Sequence, residues 1–166
     1  MLRPQDAVVL LKLAIAGGAW TYPSLADSLG MSSSEVHGAV ARAKRAGLYN
    51  EQQRGPNRKA LIEFLVHGIR YVFPAERGSM TRGLPTAHAA PPLSSKIMAD
   101  GSPPPVWPDA EGKVRGEGLR PLYRSVPAAA RRDPALYELL ALVDAIRGGR
   151  ARERSLAVAE LESRLS

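Results

Sequence analysis

Thr21-Tyr22-Pro23-Ser24-Leu25-Ala26-Asp27-Ser28-Leu29-Gly30-Met31-Ser32-Ser33-Ser34-Glu35 is the stretch that decides how this chain reads. Thr21 suits a helix N-cap, Pro23 is tolerated in a first turn, and Gly30 can take the left-handed conformation that closes a helix. A helix of about two turns is therefore predicted between Thr21 and Gly30. Met31-Ser32 makes the turn that follows. Ser32 and Glu35 have the spacing of a capping box, in which each side chain satisfies the other residue's free amide. A second helix should run from Ser33 to about Ala46, with Gly47 ending it. On that helix Val36, Ala39, Val40 and Ala43 fall at i, i+3, i+4 and i+7 and form a narrow apolar face. The opposite face carries Ser33, Ser34, His37, Gly38, Ala41, Arg42 and Arg45. A small apolar back lets two helices cross closely, and a polar, basic front suits a groove of DNA.

Working outward, Gln5-Asp6 opens an upstream helix with Asp6 able to cap it. Ala7 to Ala16 is apolar nearly all round, broken by Lys12, and predicts a buried helix that Gly17-Gly18 stops. Trp20 should lie in a short extended stretch. Downstream, Asn50 to Pro56 reads as polar loop and Arg58 to His67 as a helix with Leu61, Ile62, Leu65 and Val66 on one side. Ile69-Arg70-Tyr71-Val72-Phe73 alternates and is rich in β-formers, so it is predicted as a strand ended by Pro74. Ala75 to Thr81 would be a wing loop, and Arg82 to Thr86 a return strand with Pro85 at an edge.

Ten of the fourteen prolines fall between Pro85 and Pro134, where no helical or strand period survives. Val106, Trp107, Leu119, Leu122, Tyr123 and Val126 are too apolar for a solvated tether. An extended arm lying on the protein's own surface or on a partner fits them better. Asp133-Pro134 then opens a helix with Leu136, Leu139, Leu140, Val143 and Ile146 as its stripe, ending at Gly148-Gly149. A last helix from about Ala151 to Leu165 presents Ala157, Val158, Leu161 and Leu165 and completes a helical hairpin. The expected fold is mainly α with a small β-hairpin. Residues 1–87 form the head, 88–132 the proline-rich arm, and 133–166 a helical hairpin for packing or dimerisation.

The chain has 166 residues, 45% of them hydrophobic and 23% charged, which fits a folded protein. Its longest apolar run is too short to cross a bilayer, and the start lacks the uninterrupted core of a signal peptide. With no cysteine there is neither disulfide nor thiolate metal site, and a cytoplasmic location is expected. The net charge is +7, and the pI is about 10.1. Between His37 and Lys59 lie six basic residues and one acid, Glu51, so most of the excess sits in one short window.

Leu25-Ala26, Leu29-Gly30-Met31-Ser32, Glu35-Val36, Val40 and Gly47-Leu48 together resemble the helix-turn-helix of MarR-like bacterial winged-helix regulators. The likeness covers about residues 5 to 50 well and 57 to 87 more loosely. It implies a winged helix-turn-helix head that binds double-stranded DNA and represses by occupying an operator. A homodimer is expected because one short recognition helix reads few base pairs and twofold pairing doubles the site, and no cofactor is expected. On that plan Ser33, Ser34, His37 and Arg42 would meet base edges, where an arginine on guanine is the commonest specific contact. Lys44, Arg45, Arg54, Arg58 and Lys59 would hold phosphates, and Arg77 and Arg82 would flank the wing tip.

Enzyme chemistry finds no support. His37, His67 and His88 are scattered without metal-ligand spacing, the glycine pairs are helix stops, and no nucleophile motif is present. The competing reading is a winged-helix interaction module or antitoxin-like protein, whose arm and C-terminal helices would bind a partner protein.

Overall fold

A computed structural model describes residues 1–166. Helix α1 (Pro4–Ala16) buries Ala7 to Leu11 and Leu13, as its apolar circumference predicts. Asp6 accepts the Arg3 amide at 2.9 Å, closing the helix start from within the first turn. Helix α2 (Tyr22–Leu29) is capped by Thr21, whose hydroxyl accepts the Ser24 amide at 3.1 Å. Gly30 ends it at φ 65°, where glycine carries no Cβ penalty. In α3 (Ser33–Arg45) the predicted capping box forms: the Glu35 amide donates to the Ser32 hydroxyl, and the Ser32 amide to the Glu35 carboxylate. Val36, Ala39, Val40 and Ala43 are all buried against α1 and α2.

Strands β1 (Tyr49–Asn50) and β2 (Gly55–Pro56) form an antiparallel hairpin directly after α3, pairing Tyr49 with Pro56 and Asn50 with Gly55. Two-residue strands carry no periodicity, so this segment reads as loop. Helix α4 (Arg58–His67) buries Leu61 and Leu65 as predicted. The supposed strand at 69–73 is instead a helical turn, α5 (Ile69–Val72), which extends α4 past Gly68 and buries Ile69. Five residues, four of them β-branched or aromatic, are ambiguous between strand and helix, and here tertiary packing overrides propensity.

Arg77 to Thr81, most of the stretch expected to be a wing loop, lies within β3 (Arg77–Pro85). β3 pairs antiparallel with both β4 (Pro105–Pro108) and β5 (Val114–Leu119), while β4 and β5 run parallel, so the three strands close on one another. Glycine makes that closure possible. A Cβ on Gly83 would sit 2.0 Å from the Trp107 carbonyl oxygen, and one on Gly116 would sit 2.0 Å from that of Pro104. The segment 88–132, predicted as an extended arm, therefore carries β4, β5 and a further helix, α6 (Val126–Arg132). Its apolar side chains face inward: Val106, Trp107, Leu119, Leu122 and Val126 are buried. Glycine and proline within the strands erase the alternation by which they would be recognised.

Helix α7 (Pro134–Gly148) begins at its Asp133 cap and is buried nearly all round between Leu136 and Arg147. Helix α8 (Ala151–Leu165) folds back on it, burying Ala157, Leu161 and Leu165. Asp144 accepts the Thr86 hydroxyl at 2.7 Å and the Trp107 indole N–H at 2.7 Å, and pairs with Arg147. Arg147 also donates to the Phe73 carbonyl, tying α7 to the end of α5. One continuous apolar core runs from α1 through α3 to α7 and α8, and a Lys12–Asp133 ion pair at 2.6 Å joins α1 to α7. The fold is mainly α with two small sheets. No helix is long and apolar enough to cross a membrane.

Candidate nucleic-acid interface

Burying Val36, Ala39, Val40 and Ala43 turns the other side of α3 outward. Ser33, Ser34, His37, Ala41, Lys44 and Arg45 are exposed there. The C-terminal half meets this helix at Glu35, whose carboxylate accepts the Tyr123 hydroxyl and lies 3.3 Å from the Arg124 guanidinium. The Ser32 amide and the Tyr123 hydroxyl hold the Glu35 carboxyl below its ordinary value. The front of the helix stays open beyond this contact.

His37 does not stand alone on that front. Its ring stacks on Tyr22 with centroids 3.5 Å apart and planes at 15°. Tyr22 meets Trp20 edge-on at 5.0 Å, and the Arg54 guanidinium covers the Trp20 ring at 4.6 Å. The Trp20 indole N–H donates to the Arg54 carbonyl at 2.6 Å, and Arg54 Nη2 returns a bond to the Trp20 carbonyl at 3.0 Å. Arg54 adopts φ 51°, a left-handed conformation uncommon outside glycine, and these bonds hold it there. A ladder of rings thus joins the middle of α3 to the turn of the β1–β2 hairpin. Trp20 and Tyr22 were not singled out from the sequence, because nothing local indicates that residues 20, 22, 37 and 54 stack.

The predicted cations divide into two groups. Arg42, expected at a base edge, grips Asp6 through Nε and Nη2, each at 2.8 Å, and Asp6 is 1% exposed. Its guanidinium fastens α3 to α1, which corrects the sequence reading. Arg58 likewise donates to the carbonyls of Ala14 at 2.8 Å and Leu165 at 3.2 Å, capping the ends of α1 and α8. Arg54 is held in the ring ladder. Arg77 and Arg82 belong to β3 and not to a wing tip. Arg77 pairs with Glu117 at 2.9 Å and donates to the Gly148 carbonyl at 2.6 Å, while Arg82 is exposed without a side-chain partner.

Lys44 is exposed but pairs with Glu51 in the hairpin turn, a contact that pushes its ammonium's pKa up. Arg45 and Lys59 remain exposed with no carboxylate partner. The open surface therefore consists of Ser33, Ser34, His37, Lys44 and Arg45 on α3, the hairpin turn with Gln52 and Gln53, and Lys59 at the start of α4. Hydroxyls and an imidazole near a helix start, flanked by guanidinium and ammonium groups, can accept and donate hydrogen bonds to base edges and neutralise phosphates.

His37, His67 and His88 lie on α3, at the end of α4 and beside Glu153 respectively, and no three His, Asp or Glu side chains converge as a metal site would require. Comparison with family models, curated proteins and solved structures finds no significant match.

Proposed function

We propose that the chain is a winged helix-turn-helix regulator that binds double-stranded DNA through the front of α3 and acts by occupying an operator. α2, the Met31-Ser32 turn and α3 would form the helix-turn-helix, and the β1–β2 hairpin would be a short wing. Ser33, Ser34 and His37 would read base edges in the major groove, with His37 oriented by Tyr22. Arg45, Lys44 and Lys59 would contact phosphates. The observation that carries this reading is the open, serine-rich, cationic front of α3 beside the hairpin. A homodimer on a two-fold operator would double the short site that one helix reads, and repression follows if that operator overlaps a promoter.

The aromatic residues that suggested a tail wrapped round a partner protein are used within the chain. Trp107 is buried on Asp144 and Tyr123 hydrogen-bonds Glu35. DNA is accordingly the favoured partner.

The test is selection of bound fragments from random duplex DNA, followed by salt titration on the enriched site. A pseudo-palindrome should emerge, and Arg45→Ala/Lys59→Ala should reduce the salt slope by about 2, at about 0.9 per phosphate contact. No enrichment, or an unchanged slope in the double variant, would overturn the proposal.

A further inference from the structure

Outside α3 the molecule has a second concavity, lined by arginines. β3 and β5 form one wall of a groove of about 600 Å³, and the segment leading into α6 forms the other. Arg77, Arg120 and Arg124 line it together with the hydroxyls of Ser79 and Thr81 and the backbone of Gly118. Apart from prolines, no apolar side chain contributes. Each guanidinium has one carboxylate neighbour, Arg120 with Glu76 at 3.1 Å, Arg77 with Glu117 at 2.9 Å and Arg124 with Glu35 at 3.3 Å, and of these only Glu76 lies in the lining.

Arg120 and Arg124 are each 76% exposed, and a guanidinium has five donors, so most of theirs face the groove and solvent. Surface pairs of this kind contribute little to stability, which leaves both side chains available to an anion. The lining holds guanidiniums, hydroxyls, prolines and bare glycine backbone, and no aromatic ring. That chemistry suits phosphates and sugars more than base edges.

The groove is also continuous with the surface assigned to DNA. Arg124 lines the groove and at the same time contacts Glu35 in the first turn of α3. A helix entering the major groove by its N-terminal end has a phosphate backbone beside that end. We infer that this groove receives the sugar–phosphate backbone of the duplex flanking the segment under α3, extending the footprint without adding sequence preference. The inference depends on the α3 reading for its placement. An acidic protein segment is the alternative occupant, and the test below excludes one of the two.

The experiment compares the full chain with two variants, Arg120→Ala/Arg124→Ala and Arg45→Ala/Lys59→Ala. Each is titrated with the selected site alone and with that site extended by about one helical turn of arbitrary sequence on each side. Wild type should bind the extended duplex more tightly. The Arg120/Arg124 variant should lose that advantage and about 2 units of salt slope on the extended duplex, while binding the short duplex as wild type does. Unchanged melting temperatures serve as the folding control. If it keeps the full advantage of the extended duplex, the groove is not a DNA track and the α3 reading stands. If instead the Arg45/Lys59 variant binds both duplexes like wild type, the α3 reading fails, and with it the placement of the groove beside the reading helix.

Discussion

Asp6 in α1 and Asp144 in α7 are both buried, at 1% and 2% exposed, and both hold an arginine, yet the two halves use the pair differently. Asp144 sits at a junction, taking donors from Thr86, Trp107 and Arg147, while Arg147 reaches the carbonyls of Phe73 and Arg120. It binds together the ends of α5, β3 and β5 with β4. Asp6 has a narrower task, since its side-chain partner is Arg42, and the pair sets how α3 lies on α1. The difference shows that an arginine on a recognition-like helix can be structural. The open surface of α3 is what remains after Asp6 has taken its partner.

Removing the junction should have the largest effect. Asp144→Ala strands the buried Arg147 guanidinium together with the Thr86 and Trp107 donors, and should cost about 3–5 kcal/mol. Urea denaturation would read this as a large fall in midpoint, and a midpoint close to wild type would deny the junction its role.

Arg42→Ala comes next. Its loss leaves the Asp6 carboxylate, 1% exposed, with the Arg3 amide but no guanidinium, so the cost should be about 3 kcal/mol, the lower end for breaking a buried pair. Arg45→Ala, on the open side of the same helix, should move stability by less than about 0.5 kcal/mol. Thermal melts of the two variants side by side would sharpen the contrast, and a reversed order would deny Arg42 its structural role.

The smallest effect concerns pH. The folded-state pKa of Glu35 lies below its ordinary 4.5, chiefly because of the Ser32 amide and then the Tyr123 hydroxyl. Its stabilisation is therefore fully present above pH 4.5 and is lost as pH falls through the lower folded value. Glu35→Gln should flatten that part of the acid limb in a pH series of melts. At neutral pH it should change stability by no more than about 1 kcal/mol, because an amide oxygen can still accept the Ser32 amide. An acid limb that keeps its shape in the variant would show that Glu35 does not titrate with folding.

The helices were legible because their signals are local. Thr21, the Ser32–Glu35 box and Asp133 each announce a start, and Val36, Ala39, Val40 and Ala43 announce a buried side, all within a few residues of one another. The strands were not. β1 and β2 are too short for a period, β3 to β5 are interrupted by glycine and proline, and Ile69 to Phe73 carried a strand-like pattern into a helical turn. For the candidate interface, Ser33, Ser34, His37 and Arg45 could be placed on one face from spacing alone. The stack of His37 on Tyr22 and the link from Arg124 to Glu35 could not, since they join residues distant in sequence.

By itself the sequence determined the capped helix-turn-helix pattern, the small apolar back of α3 and the concentration of positive charge around it, because capping, turning and helical periodicity depend on near neighbours. Tertiary structure alone decided which cations face solvent. Arg42 and Arg58 are taken up by Asp6 and by helix-end carbonyls, whereas Arg45 and Lys59 are left open. A guanidinium's partner is set by which carboxylate or carbonyl the folded chain brings within hydrogen-bond reach, and chain folding brings such groups together across long separations in sequence.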